Sequence, residues 1–130
     1  MKKQILYIDN DIASYVLVSA ILDDPNIEIT HCRDGLTAIK SFKQYPLFDL
    51  IITEIKVPIV NGFTILHEIR RIKPAIPIIA QTASVLNNMK EKCLEAGFNE
   101  FLAKPIDVTQ FASIVGNCIK NQLVQFDKLS

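Results

Sequence analysis

Short apolar runs alternate with segments of helical period along the chain, and the alternation repeats five times. Ile5 to Ile8 predicts a first strand. Ile12, Val16, Leu17, Ala20 and Ile21 then recur at helical spacing until Asp23, Asp24, Pro25 and Asn26 break the pattern. Ile27 to His31 predicts the second strand. Asp34 is a good N-cap for a helix whose apolar face holds Leu36, Ile39 and Phe42 and which ends near Pro46. Leu50 to Ile55 predicts the third strand. Asn61 and Gly62 open a helix carrying Phe63, Leu66, Ile69 and Ile72, closed by Pro74, and Ile76 to Ala80 follows as the fourth strand. Asn87 to Ala96 predicts the fourth helix, stopped by Gly97, and Phe98 to Ala103 the fifth strand. Asp107 caps a final helix bearing Phe111, Ile114, Val115, Cys118 and Ile119, with residues 121–130 as its end and a tail. Strands of near-continuous apolar character, joined by helical crossovers, imply a parallel sheet covered on both faces. Five such units predict an α/β, flavodoxin-like, doubly wound sheet in the order 2-1-3-4-5, because a barrel needs eight.

Composition narrows the classes. The chain has 130 residues, 49% hydrophobic and 22% charged, enough to build one core and read as a single domain, 1–130. Lys and Arg total 14 and Asp and Glu total 14, so no net field exists to attract nucleic acid or an anionic membrane. Cys32, Cys93 and Cys118 are odd in number and outside any CxxC spacing, which disfavours a disulfide framework or a zinc site and suits a reducing cytoplasm. The N-terminus lacks signal-peptide features, and no apolar stretch approaches the length of a membrane span.

In open parallel sheets function gathers at the carboxyl ends of the strands. Strand one ends in Asp9, Asn10 and Asp11, strand three in Thr53 and Glu54, strand four in Gln81 and Thr82, and strand five in Lys104 before Pro105. Acidic oxygens from two strands can hold Mg²⁺ together with waters and a phosphate oxygen, while a hydroxyl and an ammonium take the remaining oxygens. Each residue also has a plainer reading as a turn former or cap, and Asp9 to Asp11 can serve to cap the first helix. Four polar ends at one edge favour phosphoryl handling.

These residues resemble the CheY-like receiver domains of two-component response regulators. The resemblance rests on Ile-Leu-Tyr-Ile-Asp-Asn-Asp at the start and on Phe-Asp-Leu-Ile-Ile-Thr-Glu-Ile-Lys-Val-Pro-Ile-Val-Asn-Gly in the middle. Pro-Ile-Ile-Ala-Gln-Thr-Ala-Ser and Gly-Phe-Asn-Glu-Phe-Leu-Ala-Lys-Pro-Ile complete it. It implies that Asp9 and Asn10 sit at the acidic metal pocket with Glu54 and the Lys56 carbonyl. Thr82 is then the switch hydroxyl, Phe101 the switch aromatic and Lys104 the phosphoryl-contacting lysine, with a cis peptide before Pro105. It implies as partners a histidine kinase or phosphotransfer protein and a downstream protein at the face of helix four, strand five and helix five, the chain being a monomer or weak dimer. It implies no turnover chemistry of an enzyme's kind.

Two positions depart from the family pattern in the same pocket. Glu54 stands where the family has the aspartate that accepts the phosphoryl group, and Asn10 stands where it usually has a second acid. Losing a carboxylate weakens attraction for Mg²⁺, and a glutamate carries its carboxylate about 1.5 Å farther, past the convergence point of an aspartyl phosphate. The expectation is impaired or absent phosphorylation and a weak or lost Mg²⁺ site, with Glu54 either reaching Lys104 in imitation of the phosphorylated state or standing as a plain charged residue at the sheet edge of a receiver used as a fixed docking module. An alternative is a Mg²⁺-dependent phosphatase of the haloacid dehalogenase type using Asp9 as nucleophile, since Asp9, Asp11, Thr82 and Lys104 imitate its motif order. A flavodoxin-like FMN site is disfavoured because no Ser/Thr/Gly-rich loop follows the first strand. His31 is expected in a turn, His67 on a helix surface, and Lys90, Glu91 and Lys92 on a solvated helical face.

Overall fold

The computed structural model describes residues 2–84 and 88–120. Five strands and five helices alternate: β1 Lys3–Ile8, α1 Ile12–Ile21, β2 Ile27–Cys32, α2 Gly35–Gln44, β3 Leu50–Glu54, α3 Gly62–Ile72, β4 Ile78–Thr82, α4 Met89–Ala96, β5 Glu100–Ala103 and α5 Val108–Ile119. The strands pair in parallel in the order β2-β1-β3-β4-β5. This is the expected doubly wound sheet. Side chains alternate across each strand, so β1 sends Ile5 and Tyr7 into one core with Val18 of α1 and Phe111 of α5. Leu6 and Ile8 enter the other, with Phe42 of α2, Ile65 of α3 and Cys93 of α4.

Caps fix where most helices start. Asp11, Asp34, Asn61 and Asp107 each accept an amide hydrogen bond from the first turn of α1, α2, α3 and α5. Gly97, at φ 119°, ends α4 in the left-handed region that glycine adopts without a Cβ penalty. The proposed start of α4 at Asn87 lies outside the described residues, as does the 121–130 tail.

Several boundaries and faces differ from the sequence pattern. β4 begins at Ile78 rather than Ile76: Pro77 has no N–H to pair, and Asn99 Oδ1 accepts the Ile78 amide at 2.8 Å. At its other end Gln81 and Thr82 are strand residues, paired with Glu54 of β3 and Ala103 of β5. β3 stops at Glu54 rather than Ile55, because the Ile55 amide donates to the Glu54 carboxylate. β5 begins at Glu100 rather than Phe98, whose amide instead closes α4 on the Cys93 carbonyl at 3.1 Å. On α1 the buried residues are Ser14, Val18 and Ile21, leaving Ile12, Val16 and Leu17 exposed. Leu36 and Ile72 are likewise exposed.

Candidate functional site

The site is built at the carboxyl edge of the sheet, past the ends of β1, β3 and β5, with β4 between the last two. The turn after β1 is anchored to β2 by the Asp9 amide on the Cys32 carbonyl at 3.1 Å. Asp9 is 1% exposed, and both its carboxylate oxygens are engaged. Oδ1 accepts the Asp11 amide at 2.9 Å; Oδ2 accepts Lys104 Nζ at 2.7 Å and the Tyr7 hydroxyl at 3.0 Å. Lys104 reaches this point because its own amide is held on the Thr82 carbonyl at 2.9 Å, and the peptide to Pro105 is cis.

Glu54 completes an ionic triad. Its Oε1 lies 3.2 Å from Lys104 Nζ, while Oε2 accepts the Ile55 amide at 2.6 Å. One ammonium therefore bridges two largely buried carboxylates. Burial alone would pull the Lys104 pKa down, but the hydrogen bond and charge of Asp9, then those of Glu54, outweigh it and hold the ammonium above its ordinary value. The loop after β3 folds tightly beneath: the Gly62 amide donates to the Ile55 carbonyl at 2.8 Å, and a Cβ on Gly62 would meet the Glu54 carbonyl at 2.9 Å.

An uncharged layer lies behind the triad. Tyr7 is fully buried, and its hydroxyl accepts from Gln81 Nε2 at 2.7 Å while donating to Asp9. Burial, followed by the Asp9 charge, raises the Tyr7 pKa well above that of a free phenol. Gln81 Oε1 is buried without a partner among the described residues. His31 donates from Nε2 to the Asp9 carbonyl at 2.9 Å, and its ring stacks on Tyr15 at 4.0 Å with planes 6° apart.

Of the residues singled out from sequence, Asp9, Glu54 and Lys104 are brought into direct contact. Thr82 is buried at the same edge, but its Oγ1 accepts the Ser84 amide at 3.1 Å. Phe101 is half-buried and packs on the α2, α3 and α4 side of the sheet. Asn10 is exposed, as is Lys56. Asp11 accepts from the Ala13 amide and the Ser14 hydroxyl, which lowers its pKa, with the Ser14 bond the largest cause. Its role is the helix cap. His67 is exposed on α3. His31 is not in a turn: it sits within β2, paired with Tyr7 of β1, and that register carries its ring to the Asp9 carbonyl. In the sequence Tyr7 looks like one more apolar strand residue. Its spacing was the available signal, since a side chain two residues before Asp9 points to the same side of a strand.

An open parallel sheet with an acidic pair and a lysine gathered at its carboxyl edge defines the class as receiver-like. The response regulator receiver domain profile matches residues 5–116, and the chain belongs to that family. It is 34% identical over 106 residues to the signal transduction histidine-protein kinase BarA of Escherichia coli, covering 79% of this chain and 11% of the kinase. It is 30% identical over 117 residues to the sensor protein GacS of Pseudomonas syringae, covering 86% of this chain and 13% of that protein. The chain thus spans a small part of these relatives. Among solved structures, the receiver domain of a Pseudomonas aeruginosa sensor histidine kinase, with magnesium coordinated in its active-site cleft, is 28% identical. It superposes with a TM-score of 0.81, covering 93% of this chain and all of that one. The chain is a signalling receiver of two-component systems. The family match leaves the haloacid dehalogenase reading without support. Among the described residues no helix is long and apolar enough to cross a membrane.

Proposed function

We propose that this receiver carries Glu54 at the phosphoacceptor position and works in the cytoplasm as a docking switch without stable phosphorylation of that site. The observation that carries the reading is the Glu54 Oε1 to Lys104 Nζ contact of 3.2 Å. A glutamate has its carboxylate about 1.5 Å beyond an aspartate's, and misplacement by about 1 Å can cost roughly a hundredfold in rate. Oε2 is also tied to the Ile55 amide, which removes the second oxygen from attack.

Magnesium fits this pocket poorly. Every carboxylate oxygen of Asp9 and Glu54 already has a protein partner, Asn10 supplies no charge, and the Lys104 ammonium lies between the two acids as a divalent cation would. The affinity inferred is weak.

Glu54 imitates a phosphoryl group only in part. It meets Lys104, but the Thr82 hydroxyl is bonded to Ser84 rather than drawn to the acidic group, and a carboxylate offers less charge and fewer acceptor oxygens than a phosphoryl group. Partner binding is assigned to the face of α4, β5 and α5, where Lys90, Glu91 and Lys92 are exposed. Its partners there are a downstream protein, with a histidine kinase or phosphotransfer protein as the other class. The test is incubation with acetyl phosphate and Mg²⁺ followed by intact-mass measurement. Unchanged mass is expected; a stoichiometric phosphoryl adduct mapped to Glu54 would overturn the reading.

A further inference from the structure

We propose that Tyr7, backed by Gln81, is a positioning residue that turns the Asp9 carboxylate toward Lys104 and closes the acidic pocket to divalent cations. The inference rests on the receiver reading of the pocket and names the device that shuts it.

Asp9 is held from three directions. The Tyr7 hydroxyl and Lys104 meet at Oδ2, the Asp11 amide takes Oδ1, and His31 grips the backbone carbonyl at 2.9 Å. The direction of the protons follows from the partners. A phenol has one hydrogen, and the Asp9 carboxylate can only accept it. Gln81 must then present Nε2, not Oε1, to the Tyr7 oxygen, since two acceptors cannot share that single proton. This orientation leaves Gln81 Oε1 buried and unpaired, an arrangement that costs stability. Gln81 belongs to β4 and Tyr7 to β1, so the bond passes across β3 and links the two strands that flank Glu54's strand. Released from the phenol, Asp9 regains a lone pair that a hard cation can use, and the lysine is held by one acid fewer in a fixed pose.

The test is a Mg²⁺ titration followed by amide NMR shifts on the chain, Tyr7→Phe, and Tyr7→Phe with Gln81→Leu. The double variant removes the amide that the single change would strand, so it reports even where the single variant folds poorly. Both variants should bind Mg²⁺ at least about tenfold more tightly, the scale of one hydrogen bond to a charged group. The proton spectrum should also show a slowly exchanging Tyr7 hydroxyl that shifts in Asp9→Asn, which a packing role alone would not produce. Equal Mg²⁺ affinity in all three chains, or a hydroxyl signal indifferent to Asp9→Asn, overturns the brace while the receiver reading stands. Tight Mg²⁺ binding by the unaltered chain overturns the brace and the weak-metal reading together.

Discussion

Replacing Lys104 with methionine tests how much the ionic triad contributes. The side chain keeps most of its length, so packing changes little, but the cation between two acids disappears. Lys104 Nζ lies 2.7 Å from Asp9 and 3.2 Å from Glu54, and the three side chains are 13%, 2% and 10% exposed respectively. Removing one partner of a buried pair costs ~3–5 kcal/mol, because the stranded charge keeps its desolvation penalty. Lys104 lies at an edge that water can reach, which favours the lower end, about 3 kcal/mol. For a domain of this size that loss lowers Tm by roughly 10 °C. Urea denaturation followed by circular dichroism measures it, with an unchanged slope confirming that the unfolded state is the same. The double variant Lys104→Met with Glu54→Gln should recover part of the loss by removing one of the two facing charges. A loss under about 1 kcal/mol, the range of an exposed ion pair, would refute the claim that the triad is buried and coupled.

Three further outcomes follow from the same structure. Lys104 and Tyr7 both hold their protons more tightly in the folded chain, so their stabilisation is complete below the unfolded values, about 10, and is lost as pH rises through the folded ones. Urea midpoints taken from about pH 9 upward should therefore fall, with a shallower fall in Lys104→Met; a flat profile would contradict the shifts. Gly62→Ala should cost about 1–3 kcal/mol, since its Cβ would press on the Glu54 carbonyl and on Ile55 Cα at 3.0 Å, backbone atoms that have no rotamer to escape into. Thermal melts indistinguishable from the parent would refute that. Asp34→Ala removes the acceptor of the Thr37 amide at 2.7 Å and of its hydroxyl at 2.9 Å, and should lower stability by about 1 kcal/mol in the same melts.

The five βα units were legible because buried parallel strands are apolar on both sides and the helices between them start at a capping Asp or Asn and stop near Pro or Gly. The strand ends were legible too, since polar residues directly after an apolar run stand out; Asp9, Glu54 and Lys104 were marked that way and meet within 3.2 Å. The buried face of α1 is not legible in the sequence, for a physical reason. Ile12, Val16, Leu17, Val18 and Ile21 surround most of the helix, so periodicity does not single out one face, and the packing chose Val18 and Ile21. The sequence pattern starts β4 two residues early because Ile76 extends the apolar run, although Pro77 cannot enter the ladder as a donor. Tyr7, His31 and Gln81 were hidden by long-range register: their bonds join β1, β2 and β4, and no local spacing brings residue 7 to residue 81.

The central claim is that Glu54 serves Lys104 as a fixed carboxylate partner rather than as a group that receives phosphate. The most direct measurement is the ¹⁵N-edited NMR signal of the Lys104 ammonium in the chain and in Glu54→Gln. An ammonium held 2.7 Å from Asp9 and 3.2 Å from Glu54 exchanges slowly with water, so its signal should be resolved in the parent and shifted or broadened by the substitution. A signal that Glu54→Gln leaves unmoved would mean that the glutamate and the lysine do not meet in solution, and the account would fail at its foundation.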